Sequence, residues 1–270
     1  MDLELKGKVA LITGAGQGVG RGIAMVLAAE GVKVAINDLF QEKADKVAKE
    51  IKEKGGTAIG VQADITNLDQ VKAMVSKIAA ELGPVNILVN NAGVPWEVRT
   101  GQIKRTLFVE SEFIAWKKQI DLNMYGCLNC VHSVLPAMIE KKEGKILSII
   151  SEAGRTGEAN LAVYSGAKAG ILGFTKALAR EVGRYAINVN CIAIGATAHE
   201  GTKPILDPDA TPQTDPNLDR ILKVYPIGRG LGRIGRPFDA ANAVAFMASP
   251  KACFITGQCL SVSGGFSMVS

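Results

Sequence analysis

Tyr164 and Lys168 lie four residues apart, and Ser151 precedes Tyr164 by thirteen positions. A phenol, whose ordinary pKa is about 10, is a poor acid and a poor base near neutral pH. On a helix the side chain at i+4 shares a face with residue i, so the Lys168 ammonium would stand beside the phenol. A neighbouring cation favours the phenolate, which predicts a lowered Tyr164 pKa and a tyrosine that transfers protons. Tyrosine and lysine also meet on many surface helices, so the pair needs a second signal.

A glycine-rich run provides that signal. Thr13–Gly20 reads T-G-A-G-Q-G-V-G, follows the apolar run Val9–Ile12 and precedes a helix-like segment. Gly14 would allow a tight turn, Gly18 a close approach of the backbone to a pyrophosphate, and Gly20 tight packing of helix on strand. The helix N-terminus would then face the anion. The run predicts a dinucleotide site; the alternative is a plain turn with helix-packing glycines.

An acidic residue at the end of the next strand narrows the choice of dinucleotide. Asp38 ends the apolar run Val32–Asp38, and the residues after it are Leu39 and Phe40. A carboxylate there accepts hydrogen bonds from the adenosine ribose diol and repels a 2′-phosphate. With no arginine following within reach, we expect NAD rather than NADP. The alternative is that Asp38 only caps the helix that starts at Gln41.

Apolar strand-like runs alternate with amphipathic helix-like runs along the whole chain. This pattern predicts an α/β Rossmann fold: one domain over residues 1–270, with a seven-stranded doubly wound parallel sheet flanked by helices. Gly14, Asp38, Asn90, Ser151 and Gly195 each end or follow a strand, so we expect them to converge at the carboxyl edge, where such sheets bind ligands. The predicted strands are Val9–Ile12, Val32–Asp38, Ala58–Gln62, Ile87–Asn90, Lys145–Ser151, Ala186–Ile192 and Cys259–Val262, and the predicted helices include Gln41–Lys54, Asp69–Leu82, Trp116–Lys141, Val163–Val182 and Asp239–Ala248.

Composition excludes several function classes. The net charge of +5 is mild, and no basic run with interleaved aromatics suggests nucleic-acid binding. No stretch approaches the ~20 apolar residues that span a bilayer, and the N-terminus lacks a signal-peptide apolar region. We therefore expect a cytoplasmic protein without a membrane partner. Small basic clusters at residues 99–105 and 229–236 are solvated surface or, alternatively, contacts for a phosphate-bearing carrier.

The five cysteines do not predict a metal or redox site. Cys127 and Cys130 have C-x-x-C spacing, but they lie in the apolar helix-like stretch 124–138. No second cysteine pair and no histidine pair completes a zinc set, so we expect buried small side chains and no metal. Cys191, Cys253 and Cys259 are also expected in the core.

Together these features resemble the short-chain dehydrogenase/reductase family over nearly the whole chain. Further matching segments are Ala63-Asp64-Ile65, Asn90-Asn91-Ala92-Gly93, Asp121-Leu122-Asn123, Asn188–Ile192 and the glycines near the C-terminus. The resemblance implies that Asn123, Ser151, Tyr164 and Lys168 are catalytic. It implies cofactor contacts at Gly14, Gln17, Gly18, Val19, Gly20, Asp38, Leu39, Asp64, Ile65, Asn91, Ala92, Gly93, Tyr164, Lys168, Gly195 and Thr197.

The chain departs from the family after the sixth strand. Ile194 replaces a proline before Gly195, and His199 stands where the family has a threonine. Thr197 lies two residues earlier, and which of Thr197 and His199 takes over the threonine's role is left open. Ser263 also stands where an aspartate is common.

A long proline-containing segment, residues 197–237, interrupts the strand–helix alternation. Loops of this length inside a compact domain are usually functional or disordered, and in the family this region covers the substrate. We expect a substrate lid at about 197–237; a surface excursion is the alternative. The candidate apolar lining is Ile205, Leu206, Ile221, Leu222 and Tyr225, and candidate pocket borders are Trp96, Glu152, Glu158, His199 and Tyr225.

The function implied is reversible hydride transfer between NAD and a hydrophobic, cyclic or hydroxyacyl secondary alcohol or its ketone. Tyr164 would be the acid/base, Ser151 would bind the substrate oxygen, Lys168 would lower the Tyr164 pKa and bind the nicotinamide ribose, and Asn123 would anchor a relay water. The nearest resemblance is to 3-oxoacyl-carrier-protein reductases, which usually prefer NADP. The alternatives are therefore an NADP-linked 3-oxoacyl thioester reductase or a non-catalytic dinucleotide-binding regulator or subunit. The family commonly forms tetramers, so a homotetramer is expected.

Overall fold

A computed structural model describes residues 2–200, 209, 211 and 214–268. Within these residues seven parallel strands form one sheet in the order β3-β2-β1-β4-β5-β6-β7. The chain winds outward from β1 to β3, returns to the middle, and winds outward again from β4 to β7. The predicted seven-stranded, doubly wound α/β fold is therefore confirmed, with its switch point between β1 and β4. The strands are β1 Val9–Ile12, β2 Lys33–Asp38, β3 Ala58–Gln62, β4 Ile87–Asn90, β5 Gly144–Ser151, β6 Ile187–Ile194 and β7 Cys259–Val262.

Helices cover both faces of the sheet because successive strand side chains point to opposite sides and both sides are apolar. In β1, Leu11 packs into one core and its neighbour Ile12 into the other, and both are fully buried. The first core lies under α3, α6 and α8, and the second under α1, α2 and α11. The helices are α1 Gly18–Ala29, α2 Gln41–Glu53, α3 Leu68–Glu81, α4 Trp96–Arg99, α5 Phe113–Ile120, α6 Gly126–Lys141, α7 Ala153–Thr156, α8 Ala162–Val182, α9 Pro216–Leu222, α10 Pro226–Leu231 and α11 Pro237–Ala248.

The helix predicted over Trp116–Lys141 differs from the observed one in a way that concerns the site. Helix α5 begins at Phe113, and one π-helical turn, Asp121–Tyr125, joins it to α6. Asn123 lies in this wide turn and is buried. Such turns interrupt the regular hydrogen bonding of a helix and occur often at functional sites.

The described part of the predicted lid forms a small apolar cluster of its own. Leu222 of α9 is almost fully buried in this cluster, so the prediction that it lines a substrate cavity is wrong. Ile205 and Leu206 lie outside the described residues. The cluster consists of Ala198, Leu218, Leu222 and Ile234, with Ile221 packed against it.

Tyr225 was also expected to line the lid, but it is buried beneath it. Its ring stacks on Phe266 with centroids 5.1 Å apart, and its hydroxyl oxygen accepts a hydrogen bond from the backbone amide of Ala196 at 2.9 Å. The tyrosine therefore holds the chain that leaves β6 against the C-terminal turn.

Three of the five cysteines are buried as expected. Burial raises the pKa of Cys127 to about 11 and that of Cys130 still further, so both thiols disfavour the thiolate that metal binding and redox chemistry need. Cys191 is fully buried, Cys259 is half-buried and Cys253 is exposed. The prediction of a core position is wrong for Cys253, because it lies in the turn before β7 and not in a strand.

Candidate active site

The polar residues that end or follow the strands meet at one edge of the sheet, as the parallel arrangement requires. Asp38 ends β2, Asn90 ends β4 and Ser151 ends β5, while Gly14 and Gly195 follow β1 and β6. This edge contains the switch point between β1 and β4, where the two halves of the chain diverge and leave a crevice.

The glycine loop after β1 is held against the segment after β4. Gly14 has φ +60°, and a Cβ there would lie 2.9 Å from the Cα of Ala92; a Cβ on Gly20 would lie 2.5 Å from the Asn91 Nδ2. Both positions therefore require glycine. Asn91 Nδ2 donates to the carbonyl oxygens of Thr13 and Gly14, at 2.9 and 3.1 Å. The Asn91 side chain thus fixes the loop, and does not point toward a ligand.

A cavity of about 490 Å³ opens at this edge. Asp38 faces it: one carboxylate oxygen accepts from the Gly16 amide at 3.1 Å and the other from the Phe40 amide at 3.2 Å. Asp64 lies across the cavity and accepts from the Thr66 amide and hydroxyl. The predicted cofactor residues that line the cavity are Gly14, Gln17, Asp38, Leu39, Asp64, Ile65, Ala92 and Gly93.

The cavity is also lined by aromatic and cationic side chains that were not among the predicted cofactor contacts. The ring of Trp96 meets that of Phe40 edge-on at 4.8 Å, and the Lys43 ammonium lies 4.7 Å from both ring centroids. Arg99 lies close enough to Asp38 for the carboxylate to influence it: burial lowers the pKa of Arg99 and the Asp38 charge partly restores it.

Although no arginine follows Asp38 directly in sequence, Arg99 lines the same cavity as Asp38. Arg99 comes from α4, 61 positions further along the chain. Its membership of the basic cluster at residues 99–105 was the one sequence signal available for it.

Besides Tyr164 and Lys168, six predicted cofactor residues do not line the cavity: Gly18, Val19, Gly20, Asn91, Gly195 and Thr197. Val19 and Gly20 belong to the first turn of α1 and pack against the sheet, like Asn91. Gly18 donates its amide to Glu200 Oε1 at 3.0 Å. Thr197 donates its hydroxyl to the Gly195 carbonyl oxygen at 3.1 Å.

His199 and Thr197, the two candidates for the role of the family threonine, lie in different surroundings. His199 lies across Gly18: a Cβ on that glycine would be 3.0 Å from the imidazole Cε1 and Nδ1. Thr197 is instead paired with Gly235 in an isolated bridge, and its hydroxyl turns back to its own strand end. Of the two, His199 is the residue placed at the glycine loop.

Ser151 and Tyr164 are brought together, close enough for the Ser151 hydroxyl to lower the pKa of the Tyr164 phenol. The Tyr164 pKa, however, is raised, so the expectation that it is lowered is wrong for this structure. Burial raises it most; the Ser151 hydroxyl and the charge of Arg105 lower it, while Glu158 raises it further. The Lys168 ammonium lies 5.7 Å from the Tyr164 ring centroid and does not outweigh the burial.

Lys168 is a buried ammonium held by one backbone carbonyl. Its Nζ donates to the Ile149 oxygen at 2.9 Å, and burial lowers its pKa to about 8. A Cβ on Gly93 would lie 2.8 Å from both Lys168 Nζ and Asn123 Oδ1, so the bare glycine leaves room where these two groups converge. Asn123 donates its amide to two oxygens of Gln119, while its Oδ1 is buried without a hydrogen-bond partner among the described residues.

A second cavity, of about 100 Å³, lies beside Tyr164. Its walls are mostly apolar, and Arg105 is at its margin, 3.6 Å from Glu158. Glu158, a predicted pocket border, does not itself line this cavity but pairs with Arg105, which does. The apolar walls include Val98, Ile103, Phe108, Trp116, Leu161 and Val163.

Glu152 was expected to border a pocket but is 1% exposed and fully engaged. Arg155 Nη1 lies 3.2 Å from both of its oxygens, and Ser261 donates to Oε1 at 2.5 Å. Ser261 is in turn 2.8 Å from Ser263, the residue that stands where an aspartate is common. Glu152 thus ties β5 to β7 and leaves the Ser151 end of β5 well supported.

The edge of the sheet fits a dinucleotide. The glycine loop presents the N-terminus of α1; Gln17, the residue before that helix, makes no side-chain cap, and the Gly18 amide is bonded to Glu200 instead. Asn90 adds a buried amide, at the end of β4, whose nitrogen and oxygen both lack a hydrogen-bond partner among the described residues. Asp38 stands where a ribose diol would be bound. In the described part of the chain no helix is long and apolar enough to span a bilayer. Nor do three acidic, cysteine or histidine side chains cluster there as metal ligands.

Known proteins match this chain along almost its whole length. The chain is 38% identical over 262 residues to a 3-oxoacyl-(acyl-carrier-protein) reductase of Staphylococcus epidermidis, covering 97% of this chain and 99% of that protein. It is 36% identical to the enzyme of the same name from Synechocystis sp., with 98% of each covered.

Solved structures show the same architecture. A 7α-hydroxysteroid dehydrogenase complexed with NADH and 7-oxo glycochenodeoxycholic acid superposes with a TM-score of 0.86 at 33% identity, covering 98% of this chain and 96% of that one. A 3-oxoacyl-(acyl-carrier-protein) reductase from Brucella melitensis gives 0.87 at 28% identity, covering 99% and 94%. The family model described as short chain dehydrogenase matches residues 8–209. With the strand order, the glycine loop and these relatives in agreement, the chain belongs to the short-chain dehydrogenase family of oxidoreductases.

Proposed function

We propose that the protein reduces the ketone of a 3-oxoacyl thioester to the 3-hydroxy compound, and reverses the reaction, with a nicotinamide dinucleotide. The observation that carries the proposal is the closeness of Ser151 to Tyr164, with Lys168 and Asn123 converging beside Gly93, next to an apolar cavity that Tyr164 lines. The thioester substrate is supported by the names of the relatives that match the full length of the chain. Arg105 and Lys104 at the cavity margin suit an anionic carrier.

The acid/base chemistry belongs to Tyr164. The bound nicotinamide supplies or accepts the hydride. In reduction Tyr164 gives its hydroxyl proton to the substrate oxygen, and in oxidation it takes that proton back. Ser151 donates a hydrogen bond to the same oxygen and stabilises the charge that develops there. The raised Tyr164 pKa favours the protonated hydroxyl, which is the form that reduction needs.

Lys168 and Asn123 support proton transfer by Tyr164. The buried ammonium, with its pKa near 8, is mostly protonated at pH 7 and stabilises the phenolate that remains after proton transfer. Asn123 Oδ1 converges on the same space and is free among the described residues to accept a proton donor such as water or the ammonium. The pair thus forms an inner path by which the tyrosine can be reprotonated.

NAD is the proposed cofactor because of Asp38, which presents a carboxylate where a 2′-phosphate would lie. Arg99 and Lys43 line the same cavity and would attract that phosphate if the carboxylate were absent. Discrimination is therefore a balance of one anion against two cations.

A second candidate is an NAD-linked dehydrogenase of a hydrophobic or cyclic secondary alcohol. Asp38 favours it, and so does the likeness to a steroid dehydrogenase solved with NADH. We also propose a single domain, a substrate cover at about residues 197–237, a homotetramer and a cytoplasmic location.

Tyr164→Phe is expected to bind NADH with unchanged affinity but to lose turnover by about 100- to 10,000-fold, since it removes the proton donor alone. The measurement is NADH absorbance with a panel of 3-oxoacyl thioesters, ketones and alcohols, with Tyr125→Phe, an exposed tyrosine, as the control. Near-normal turnover by Tyr164→Phe would contradict the acid/base role, and NADH binding by the wild type without turnover of any compound would favour the regulator alternative.

Lys168→Met is expected to abolish turnover yet stabilise the fold at pH 7. The folded-state pKa of about 8 lies below the ordinary lysine value near 10.4, so between these the unfolded chain binds more protons and wild-type stability rises with pH. Removing the buried charge should raise the free energy of unfolding by about 1–3 kcal/mol at pH 7. The difference in the free energy of unfolding between Lys168→Met and the wild type should be smaller at pH 9.5.

Urea unfolding at both pH values tests this prediction. Lys176→Met, an exposed lysine two turns further along α8, should change stability by less than about 0.5 kcal/mol. A Lys168→Met variant that is less stable than wild type at pH 7 would show that the ammonium stabilises the fold.

Asp38→Ala is expected to raise the ratio of kcat/KM for NADPH to that for NADH by at least about tenfold, a change of about 1.4 kcal/mol. The variant removes the repulsion and leaves Arg99 and Lys43 facing the 2′-phosphate. The exposed Asp69→Ala variant is the control. An unchanged ratio in Asp38→Ala would reject the assignment of cofactor preference to this carboxylate.

A further inference from the structure

The backbone amide of Gly18 donates a hydrogen bond to a carboxylate that is distant in sequence. Gly18 begins α1, and neither the preceding Gln17 nor any acidic residue in the first turn caps that helix through its side chain. Glu200, 182 residues away in sequence, accepts from the Gly18 amide through Oε1 at 3.0 Å. A carboxylate is the side chain that the positive end of a helix favours.

The neighbouring His199 covers the same glycine. Its imidazole lies 3.0 Å from the position that a Cβ of Gly18 would take. Gly18 lacks a side chain at the point where the family's glycine loop lets a pyrophosphate approach the backbone. His199 and Glu200 therefore fill the space and use the hydrogen bond that a dinucleotide pyrophosphate requires.

The chain that carries these two residues is anchored just before them. The Ala198 amide donates to the Gly235 carbonyl oxygen at 2.9 Å, and the Gly235 amide donates to the Ala196 oxygen at 3.1 Å. Ala198 is itself buried in the small apolar cluster with Leu222. The placement of Glu200 at Gly18 thus starts from a fixed point only two residues away.

The charge around Glu200 suits an anion. Burial by itself would raise the pKa of Glu200, but the Gly18 amide, the backbone amide of Glu200 and the charges of His199 and Arg21 lower it overall. The carboxylate is therefore ionised at neutral pH, as the pyrophosphate is. Two anions cannot share one amide at hydrogen-bond distance.

We propose that Glu200 is an affinity-setting residue for the cofactor: its carboxylate occupies the pyrophosphate position at Gly18 and has to leave before the dinucleotide binds. The inference rests on the proposed function, because it takes the glycine loop as the dinucleotide site. Apparent affinity falls by the fraction of molecules that are competent to bind, so a carboxylate engaged about 70–90% of the time weakens binding about three- to tenfold. The same competition speeds release of the spent cofactor.

NADH titration of the full-length protein, followed by nucleotide fluorescence, tests this proposal. Glu200→Ala and Glu200→Gln should each lower the Kd for NADH about three- to tenfold. Glu42→Gln is the matched control: it removes an exposed carboxylate from the first turn of α2, near the cavity but away from Gly18. An unchanged Kd in both Glu200 variants, or an equal gain in Glu42→Gln, would overturn the proposal, the latter because any lost negative charge would then suffice.

Competition by fragments of the cofactor locates the effect. ADP-ribose contains the pyrophosphate and should displace NADH from Glu200→Ala at lower concentration than from wild type, whereas adenosine, which lacks it, should compete equally with both. An equal gain for adenosine would overturn the proposal. Failure of every variant and of wild type to bind NADH or NADPH would instead refute the proposed function, and the inference with it.

Discussion

All seven strands run in the same direction, and this constraint determines where the chemistry can be. Every strand ends at the same edge of the sheet, so residues as distant in sequence as Asp38, Asn90 and Ser151 arrive together. Both faces of the sheet are filled by apolar side chains under helices, which leaves that edge as the place for polar groups. The switch between β1 and β4 then opens the crevice that the glycine loop borders.

The two buried charged side chains near this edge, Glu152 and Lys168, differ in how completely they are paired and hydrogen-bonded. Glu152 is neutralised by Arg155 and bonded by Ser261, so its charge is satisfied within the protein and it serves to join strands. Lys168 has one carbonyl as its hydrogen-bond acceptor and a depressed pKa, and next to it Asn123 keeps a buried oxygen without a partner among the described residues. A structural group would be better satisfied. The polar ends of these two side chains converge on the space beside Gly93.

Local pattern was sufficient to predict the strands and the glycine loop, because these follow from apolar periodicity and from parallel topology. The meeting of Ser151 with Tyr164 was implied by the family resemblance. Local pattern was not sufficient for contacts set by tertiary packing. Arg99 lines the same cavity as Asp38 although the two residues are 61 positions apart, and Glu200 binds the Gly18 amide across 182 residues. The Tyr164 pKa was misjudged because the effect of burial depends on the atoms that surround the phenol, which the sequence does not reveal.

The central claim is that the dinucleotide lies along the carboxyl edge of the sheet with Tyr164 and Lys168 at its nicotinamide end. A crystal structure of the NADH complex tests it most directly. The account predicts the pyrophosphate at the Gly18 amide, the adenosine ribose at Asp38, and Lys168 Nζ within about 3.5 Å of a nicotinamide ribose hydroxyl. A dinucleotide bound elsewhere, or bound with Tyr164 shielded from the nicotinamide ring by other side chains, would contradict it.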